Sequence, residues 1–127
     1  MFSINPSSGE PIYRQLTGQI KRMVAGGQLK AGDELPSVRE LASQYAVNPM
    51  TISKAYSLLE AEGVLERQRG KPMTIASQAS PGQSEKSRLQ QVLPQLEQLA
   101  LAAQQLQLPK DTVLSALSEV FDRMSDD

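Results

Sequence analysis

The fold is decided by the stretch NPMTISKAYSLLEAEG, residues 48–63. This stretch predicts one short helix with marked ends. Asn48 is a good N-cap, because its side-chain oxygen can accept a hydrogen bond from a free backbone N–H of the first turn. Pro49 suits the first helical position, where its missing N–H costs nothing. Gly63 stands where a left-handed residue commonly ends a helix.

The predicted helix has one apolar face and one face without acids. The residues at helical spacing on the apolar face are Ile52, Ala55, Tyr56 and Leu59. The opposite face, called the acid-poor face below, consists of Met50, Ser53, Lys54 and Ser57, with Thr51 at its edge. Phosphate would repel a carboxylate, so this face is compatible with a nucleic-acid groove. The helix alone leaves a second interpretation open, an ordinary amphipathic helix with a solvated side.

The residues upstream predict a partner helix. Ser37 and Glu40 form an S-x-x-E capping box, in which each side chain satisfies a free backbone N–H of the other. The expected buried face contains Val38, Leu41, Ala42 and Tyr45. Arg39 lies in the first turn, outside that face. Only Ala46 and Val47 separate this helix from the Asn48 cap. The two helices therefore predict a helix-turn-helix, whose second helix usually enters the major groove.

The N-terminal region predicts one further helix. After Pro11, a helical stripe is formed by Ile12, Leu16, Ile20, Met23 and Val24, and Gly26-Gly27 ends it. Phe2 and Ile4 are candidate packing anchors for the short segment before it. Residues 28–35 are predicted to be a loop, anchored by Leu29 and Leu35.

The residues downstream of Gly63 predict a basic β-hairpin. Residues 64–67 and 73–75 have the character of two short strands, and residues 68–72 form the tip between them. Arg67, Arg69 and Lys71 place three cations within five residues, and Gly70 permits a positive φ. A hairpin that follows a helix-turn-helix is a wing, so residues 67–72, the basic wing, are expected to reach a phosphate backbone or a minor groove. The alternative is a charged, solvated turn.

The C-terminal third predicts two helices after a polar linker at residues 77–84. An a/d seam is formed by Leu89, Val92, Leu96, Leu99, Ala103 and Leu106, with spacings 3, 4, 3, 4, 3. Pro94 is expected to kink or restart the helix. A second helix begins at Pro109 and places Val113, Leu114, Leu117, Phe121 and Met124 on one face. Two helices cannot bury both stripes alone, which favours a second copy of the chain as partner; the alternative is that the tail packs on its own winged helix.

The predicted fold class is therefore mainly α with a small β-hairpin. A winged helix-turn-helix domain at residues 1–76 and a linker at 77–84 precede a helical dimerisation tail at 85–127. Charge follows this division, because residues 1–76 carry a balance of +2 and residues 77–127 one of −3.

Composition excludes several classes of function. The chain of 127 residues contains no cysteine, so disulfides, zinc–thiolate sites and thiol chemistry are excluded. It contains no histidine, the commonest general base and metal ligand, and no catalytic triad or metal cluster is evident. We therefore expect no enzyme, no catalytic residue, no cofactor and no metal site. The absence of a secretion signal and of a long apolar run predicts a cytoplasmic protein without a membrane segment.

Residues 11–76 resemble the winged-helix domain of GntR-family bacterial transcription regulators. The resemblance lies in PIYRQLTGQI, residues 11–20, and in LKAGDELPSVRELASQYAVNPMTISKAYSLLEAEGVLERQRGKP, residues 29–72. The NPMT variant at residues 48–51 and the short helical tail are similar to the YtrA-like subfamily. The resemblance implies a transcription regulator, in particular a repressor, that binds a near-palindromic operator as a homodimer. Helix 48–62 would then lie in the major groove and the tail would supply the dimer contact.

The resemblance also implies a set of DNA contacts. These are Arg39, Asn48, Met50, Thr51, Ser53, Lys54, Arg69, Gly70 and Lys71. The chain departs from better-known branches of the family at Pro49 and Ser53, where those branches often carry arginine. Ala46 stands in the turn where a glycine is common, and a positive φ there would cost on the order of 1 kcal/mol.

Physical chemistry assigns individual roles within this set. Arg39 can bind guanine O6/N7 or clamp a phosphate, and the base contact is slightly favoured. Thr51 and Ser53 suit phosphate oxygens, and Thr51 can also offer a methyl group to thymine. Met50 is a candidate apolar contact, and Asn48 fits a helix cap better than a base contact. Lys54 and Lys71 are expected to bind phosphates.

The sequence leaves two other functions open. One is a metabolite-responsive regulator whose small-molecule site lies at the interface of the tail. The other is a winged-helix module that binds protein, which the basic wing and the acid-poor face disfavour.

Replacement of Arg39 tests its role as a base contact. Arg39→Ala is expected to weaken operator binding by about 1–3 kcal/mol and to relax the preference at one base pair, because a bidentate pair to guanine is lost. Competition binding across single-base operator variants measures both effects. Uniform weakening across all variants would make Arg39 a phosphate clamp instead.

Overall fold

The secondary structure follows the sequence pattern closely. The computed structural model describes residues 1–77 and 84–125. Its elements are α1 (Ile12–Ala25), α2 (Val38–Tyr45), α3 (Pro49–Ala61), β1 (Leu65–Glu66), β2 (Thr74–Ile75), α4 (Glu85–Gln105) and α5 (Lys110–Ser125). The mainly helical fold with a small hairpin is confirmed, although each strand is shorter than predicted. In the described ranges, no helix has the length and apolar character needed to cross a membrane.

The chain divides into two units, residues 1–84 and residues 85–127. Most of the predicted linker, residues 78–83, lies outside the described residues.

The first unit is built around α3. Helices α1 and α2 and strand β1 all pack against this helix. The predicted apolar face is confirmed, because its four residues Ile52, Ala55, Tyr56 and Leu59 are buried. Leu16 and Ile20 of α1 and Leu41 of α2 complete a fully buried centre. Each such side chain contributes about 1.5–3 kcal/mol on leaving water, so α3 is fixed from three sides.

The ends of α2 and α3 are formed as the sequence predicts. The Glu40 backbone N–H donates to Ser37 Oγ at 3.0 Å, and the Ser37 N–H donates to Glu40 Oε1 at 3.2 Å, which completes the capping box. Asn48 Oδ1 accepts from the Met50 N–H at 2.9 Å. Gly63 has a φ of +79°, and the next N–H, that of Val64, reaches back to the Leu59 carbonyl at 2.9 Å.

The turn between α2 and α3 contains a left-handed alanine. Ala46 has a φ of 54°, so the strain anticipated from the sequence is present. A Cβ atom in this conformation costs about 1–2 kcal/mol. Burial of α2 and α3 on both sides of the turn compensates for it.

A single hydroxyl ties α3 to the start of α2. The Tyr56 hydroxyl donates to the Pro36 carbonyl at 2.6 Å. Burial raises the pKa of the Tyr56 phenol well above its usual value, and the carboxylate of Glu40 raises this pKa further. The phenol therefore remains a neutral donor at physiological pH. Its hydrogen bond fixes the segment that leads into Ser37 and Arg39 relative to α3.

The N-terminal segment is held by side-chain amides as well as by its two apolar anchors. Phe2 is buried and Ile4 packs against the core, as predicted. The Tyr45 hydroxyl accepts from the Phe2 N–H and donates to the Phe2 carbonyl, both at 2.8 Å. The buried Gln15 amide bonds to both backbone groups of Asn5 and to the carbonyl of Glu10. Residues 1–10 thus form part of the first unit.

The second unit differs from the predictions at two places. Helix α4 continues through Pro94, so of the two outcomes predicted there the restart does not occur, and the kink stays a prediction. Proline removes one hydrogen bond, and the bonds on either side of it hold the helix together. Leu106 lies just beyond the last residue of α4, and Gln107 has a φ of 57°. The Leu108 N–H donates to the Ala103 carbonyl at 2.9 Å, which is a helix-ending motif formed without glycine.

The second unit leaves most of its apolar side chains exposed. In α4 only Ala103 is buried, at 8% exposure, and α5 buries no residue. The seam and α5 residues exposed in the single chain are Leu89, Leu96, Leu99, Leu106, Leu114 and Phe121, while Val92 and Leu117 are half-buried. A single copy of the tail therefore does not form a closed core.

Removal of the Tyr56 hydroxyl tests its structural role. We expect Tyr56→Phe to lower the free energy of unfolding by about 1–3 kcal/mol, because the half-buried Pro36 carbonyl loses its donor. Urea denaturation at fixed chain concentration measures the change. Tyr13→Phe is the matched control, since it removes the same atom from a half-buried tyrosine of α1. An equal loss in both variants would contradict the role given to the Tyr56 bond.

Candidate nucleic-acid interface

The acid-poor face of α3 points to solvent. Met50 is 76% exposed, Ser53, Lys54 and Ser57 are exposed, and Thr51 at the edge is half-buried. This arrangement follows from the burial of the opposite face, because residues half a helical turn apart point in opposite directions. The five residues therefore form one continuous strip along α3. They carry hydroxyl groups, one thioether and one ammonium.

Asn48 has its side-chain oxygen committed to the helix. Because Asn48 Oδ1 accepts from the Met50 N–H, this oxygen caps the first turn of α3. The residue itself is exposed at the start of the acid-poor face. Its contribution to the site is to fix the orientation of the first turn, including Met50 and Thr51.

Arg39 is exposed in the first turn of α2. Within residues 1–77 and 84–125, it forms no ion pair. The neighbouring carboxylate of Glu40 accepts the Ser37 N–H in the capping box and is directed back to the helix end. The guanidinium group therefore retains its charge and its donors for an external partner.

The tip of the basic wing is a tight turn. The Lys71 N–H donates to the Gln68 carbonyl at 3.0 Å, and Gly70 has a φ of +75°. A positive φ at the third residue is the pattern of a type II turn, which favours glycine. Arg69 and Lys71 are exposed, and the part of the chain that is described offers neither of them an ion pair. The start of the α2 helix and the tip of the wing line one open groove of about 600 Å³, with Ser37 on one side and Lys71 on the other.

The base of the wing is braced by a segment that was predicted to be a loop. Glu34 forms a β-bridge with Thr74. The Leu35 N–H donates to the Met73 carbonyl at 2.8 Å, and the Ile75 N–H donates to the Asp33 carbonyl at 2.9 Å. Leu29 and Leu35 are buried as anchors, as expected. This segment is too short for an alternation of apolar and polar residues to identify it as a strand from the sequence.

Two exposed ion pairs neutralise acids near the C-terminal end of α3. Arg67 Nε lies 3.5 Å from Glu60, and Lys21 Nζ lies 2.8 Å from Glu62. Exposed pairs contribute little to stability. They do reduce the negative charge beside the acid-poor face. Arg67 is thereby committed to the base of the wing, while the tip residues keep their charge.

One residue of the site was not predicted from the sequence. Lys54 Nζ lies 3.9 Å from the centroid of the Tyr13 ring. This distance is well within the range of a cation–π interaction. The sequence predicts the apolar stripe of α1, and Tyr13 lies outside this stripe. No periodicity in the sequence links Tyr13 to a lysine 41 positions away.

The described residues contain no group of three or more acidic side chains placed to hold a metal ion.

Comparison with known proteins gives a consistent result. The family model described as bacterial regulatory proteins, gntR family, matches residues 12–75. The HTH-type transcriptional repressor YtrA of Bacillus subtilis is 43% identical over 103 residues, which cover 81% of this chain and 78% of that protein.

Two solved structures are also similar. YtrA from Sulfolobus acidocaldarius, a GntR-family transcription factor, shares 32% identity at a TM-score of 0.53, over 97% of this chain and 98% of that one. The DNA-binding domain of AraR in complex with operator ORE1 shares 25% identity at a TM-score of 0.50, over 60% of this chain and 93% of that one.

The two kinds of wing cation can be distinguished by salt dependence. Lys71→Ala is expected to reduce the log–log slope of DNA affinity against salt by about 0.9 per bound protomer, because one phosphate contact is lost. Arg67→Ala, the matched control, is expected to change the slope less, since Glu60 already offsets its charge. Fluorescence anisotropy titrations over a range of salt concentrations measure both slopes. An unchanged slope for Lys71→Ala would remove Lys71 from the phosphate contacts.

Proposed function

The chain is a DNA-binding transcription regulator of the GntR family, and we propose that it is a repressor that binds a near-palindromic operator as a homodimer. The relatives it matches are named as transcriptional regulators and not as enzymes. The observation that carries the proposal is the exposed acid-poor face of α3, in the same unit as Arg39 and the wing tip, whose cations form no ion pair among the described residues. We also propose a cytoplasmic location, because a regulator of bacterial transcription acts where the chromosome lies.

The proposed docking places α3 in the major groove. Its polar and apolar side chains on the acid-poor face are small or unbranched, so the helix can approach the bases closely. Met50 contacts a base by its apolar side chain, and Thr51 and Ser53 donate to phosphate oxygens. Asn48 supports these contacts as the cap of the helix.

Arginine and lysine supply most of the affinity in this arrangement. Pro49 and Ser53 provide no charge, so α3 itself contributes only Lys54. Arg39 reads a guanine in the major groove at the edge of α3. Arg69 reaches the minor groove or the backbone, Gly70 allows the turn that presents it, and Lys71 binds a phosphate.

The helical tail is proposed to hold two copies of the chain together. Exposed large apolar side chains recur along one face of α4 and on α5. A contiguous apolar surface of this kind marks an interface and is costly to leave in water. The proposed interface residues are Leu89, Val92, Leu96, Leu99, Ala103, Leu106, Leu114, Leu117 and Phe121. A homodimer presents two copies of α3, which explains a near-palindromic operator.

A second candidate function is regulation by a small apolar effector. An open groove of about 440 Å³ lies between α4 and α5, and Leu99, Ala103, Leu108 and Val113 are among the residues that line it. Gln104 and Lys110 supply polar groups there. A molecule bound in this groove would alter the packing of the tail and hence the spacing of the two α3 helices. A module that binds protein instead of DNA is disfavoured by the unpaired cations at the site.

Selection from random duplex DNA tests the proposed function. The wild-type chain is expected to enrich an inverted repeat, since two copies of one reading surface are related by two-fold symmetry. The enriched sequence also gives the half-site spacing. Failure to enrich any sequence would contradict operator binding, and enrichment of one unrepeated site would contradict a symmetric dimer.

Charge placed on the seam tests the role of the tail. Leu99→Glu is expected to give monomers, because a carboxylate would be buried in the proposed interface. The monomer should bind the selected duplex much more weakly than the wild type. Sedimentation velocity gives the oligomeric state and anisotropy gives the affinity. Leu101→Glu is the matched control, since Leu101 is 55% exposed on α4 and lies off the seam. If the Leu99→Glu variant still forms a dimer, the seam is not the dimer interface.

A further inference from the structure

The contact between Lys54 and Tyr13 connects the acid-poor face to α1. The ammonium group lies 3.9 Å from the ring centroid, so the long side chain of Lys54 runs across α3 toward the neighbouring helix. Tyr13 is half-buried and packs against the core. The ring is therefore part of the rigid first unit, and the lysine is the adaptable partner.

We propose that Tyr13 is a positioning residue for DNA binding. Its ring holds the Lys54 ammonium at the α1 edge of the acid-poor face, where the ammonium meets a phosphate of the DNA strand that borders the groove and not a base within it. This inference rests on the proposed function, and it extends the interface to a residue of α1.

The direction of Lys54 follows from the helical positions. Viewed along α3, Lys54 lies on the exposed face beside Met50, on the side away from Ser53 and Ser57. A free lysine side chain at this position can reach both the middle of the groove and its edge. The Tyr13 ring draws the ammonium sideways, toward the edge at which α1 packs. The edge of a helix seated in a groove is where the phosphates run.

The partner of a cation determines how much of its charge is available to the DNA. Arg67 and Lys21 are both held by carboxylates, which offset their charge. The Tyr13 ring is neutral, so it restrains Lys54 without neutralising it. Lysine has four rotatable side-chain bonds, and fixing them on binding opposes affinity. A lysine that is already restrained loses less freedom when it reaches a phosphate.

A double-mutant cycle with the duplex selected by the wild-type chain tests the proposal. Tyr13→Leu is expected to weaken binding about two- to fivefold, the factor that an exposed cation–π contact supplies. The same change in a Lys54→Ala background is expected to have no effect. Tyr13→Phe is the matched control, because it keeps the ring face and should bind like the wild type.

Each outcome of the cycle bears on a different claim. If the wild-type chain selects no duplex, the proposed function fails and this inference fails with it. If the wild type binds and Tyr13→Leu binds equally well, only the inference is overturned. It is also overturned if Tyr13→Leu weakens binding as much in the Lys54→Ala background, because Tyr13 then acts through the fold and not through Lys54.

A spectroscopic measurement on the free protein does not depend on how well Tyr13→Leu folds. The ε-methylene protons of Lys54 are expected to be shifted upfield by the ring current in the wild type and in Tyr13→Phe. Assignment of this resonance by comparison with Lys54→Ala identifies it. A random-coil shift in the wild-type protein would overturn the proposal.

Discussion

The structure of the first unit depends on the burial of one face of α3. Ile52, Ala55, Tyr56 and Leu59 are packed against α1, α2 and β1, so the helix can neither rotate nor slide without exposing this face. The hydrogen bond from Tyr56 to the Pro36 carbonyl also fixes the start of α2. The acid-poor face on the opposite side of α3 therefore has one orientation, and Arg39 is held in a fixed relation to it.

The charges around α3 are arranged so that cations remain available at the proposed DNA-binding surface. Glu40 is used in a helix cap, and Glu60 and Glu62 are paired with Arg67 and Lys21. A modest net positive charge is therefore sufficient for DNA binding, because binding depends on the cations that have no partner within the protein. Arg39 at the first turn of α2 and Arg69 and Lys71 at the tip of the wing are among the cations of the described residues that form no ion pair.

Local signals in the sequence predict most of this architecture, and contacts between distant residues account for what they miss. Caps and period identify α2 and α3, since Ser37, Asn48 and Gly63 act on their own helix ends. The bracing of the wing by Glu34 and the contact of Lys54 with Tyr13 join residues about 40 positions apart, and no periodicity encodes such pairs. At Pro94 the predicted restart does not occur, because one missing hydrogen bond does not end a long helix.

The central claim is that α3 enters the major groove twice in each complex. Methylation interference on the selected duplex tests it most directly, because guanine N7 lies in the major groove and adenine N3 lies in the minor groove. The account predicts that N7 methylation blocks binding in two inverted segments, separated by about ten base pairs or a multiple of this distance. Interference confined to adenine N3, or to a single unrepeated segment, would contradict it.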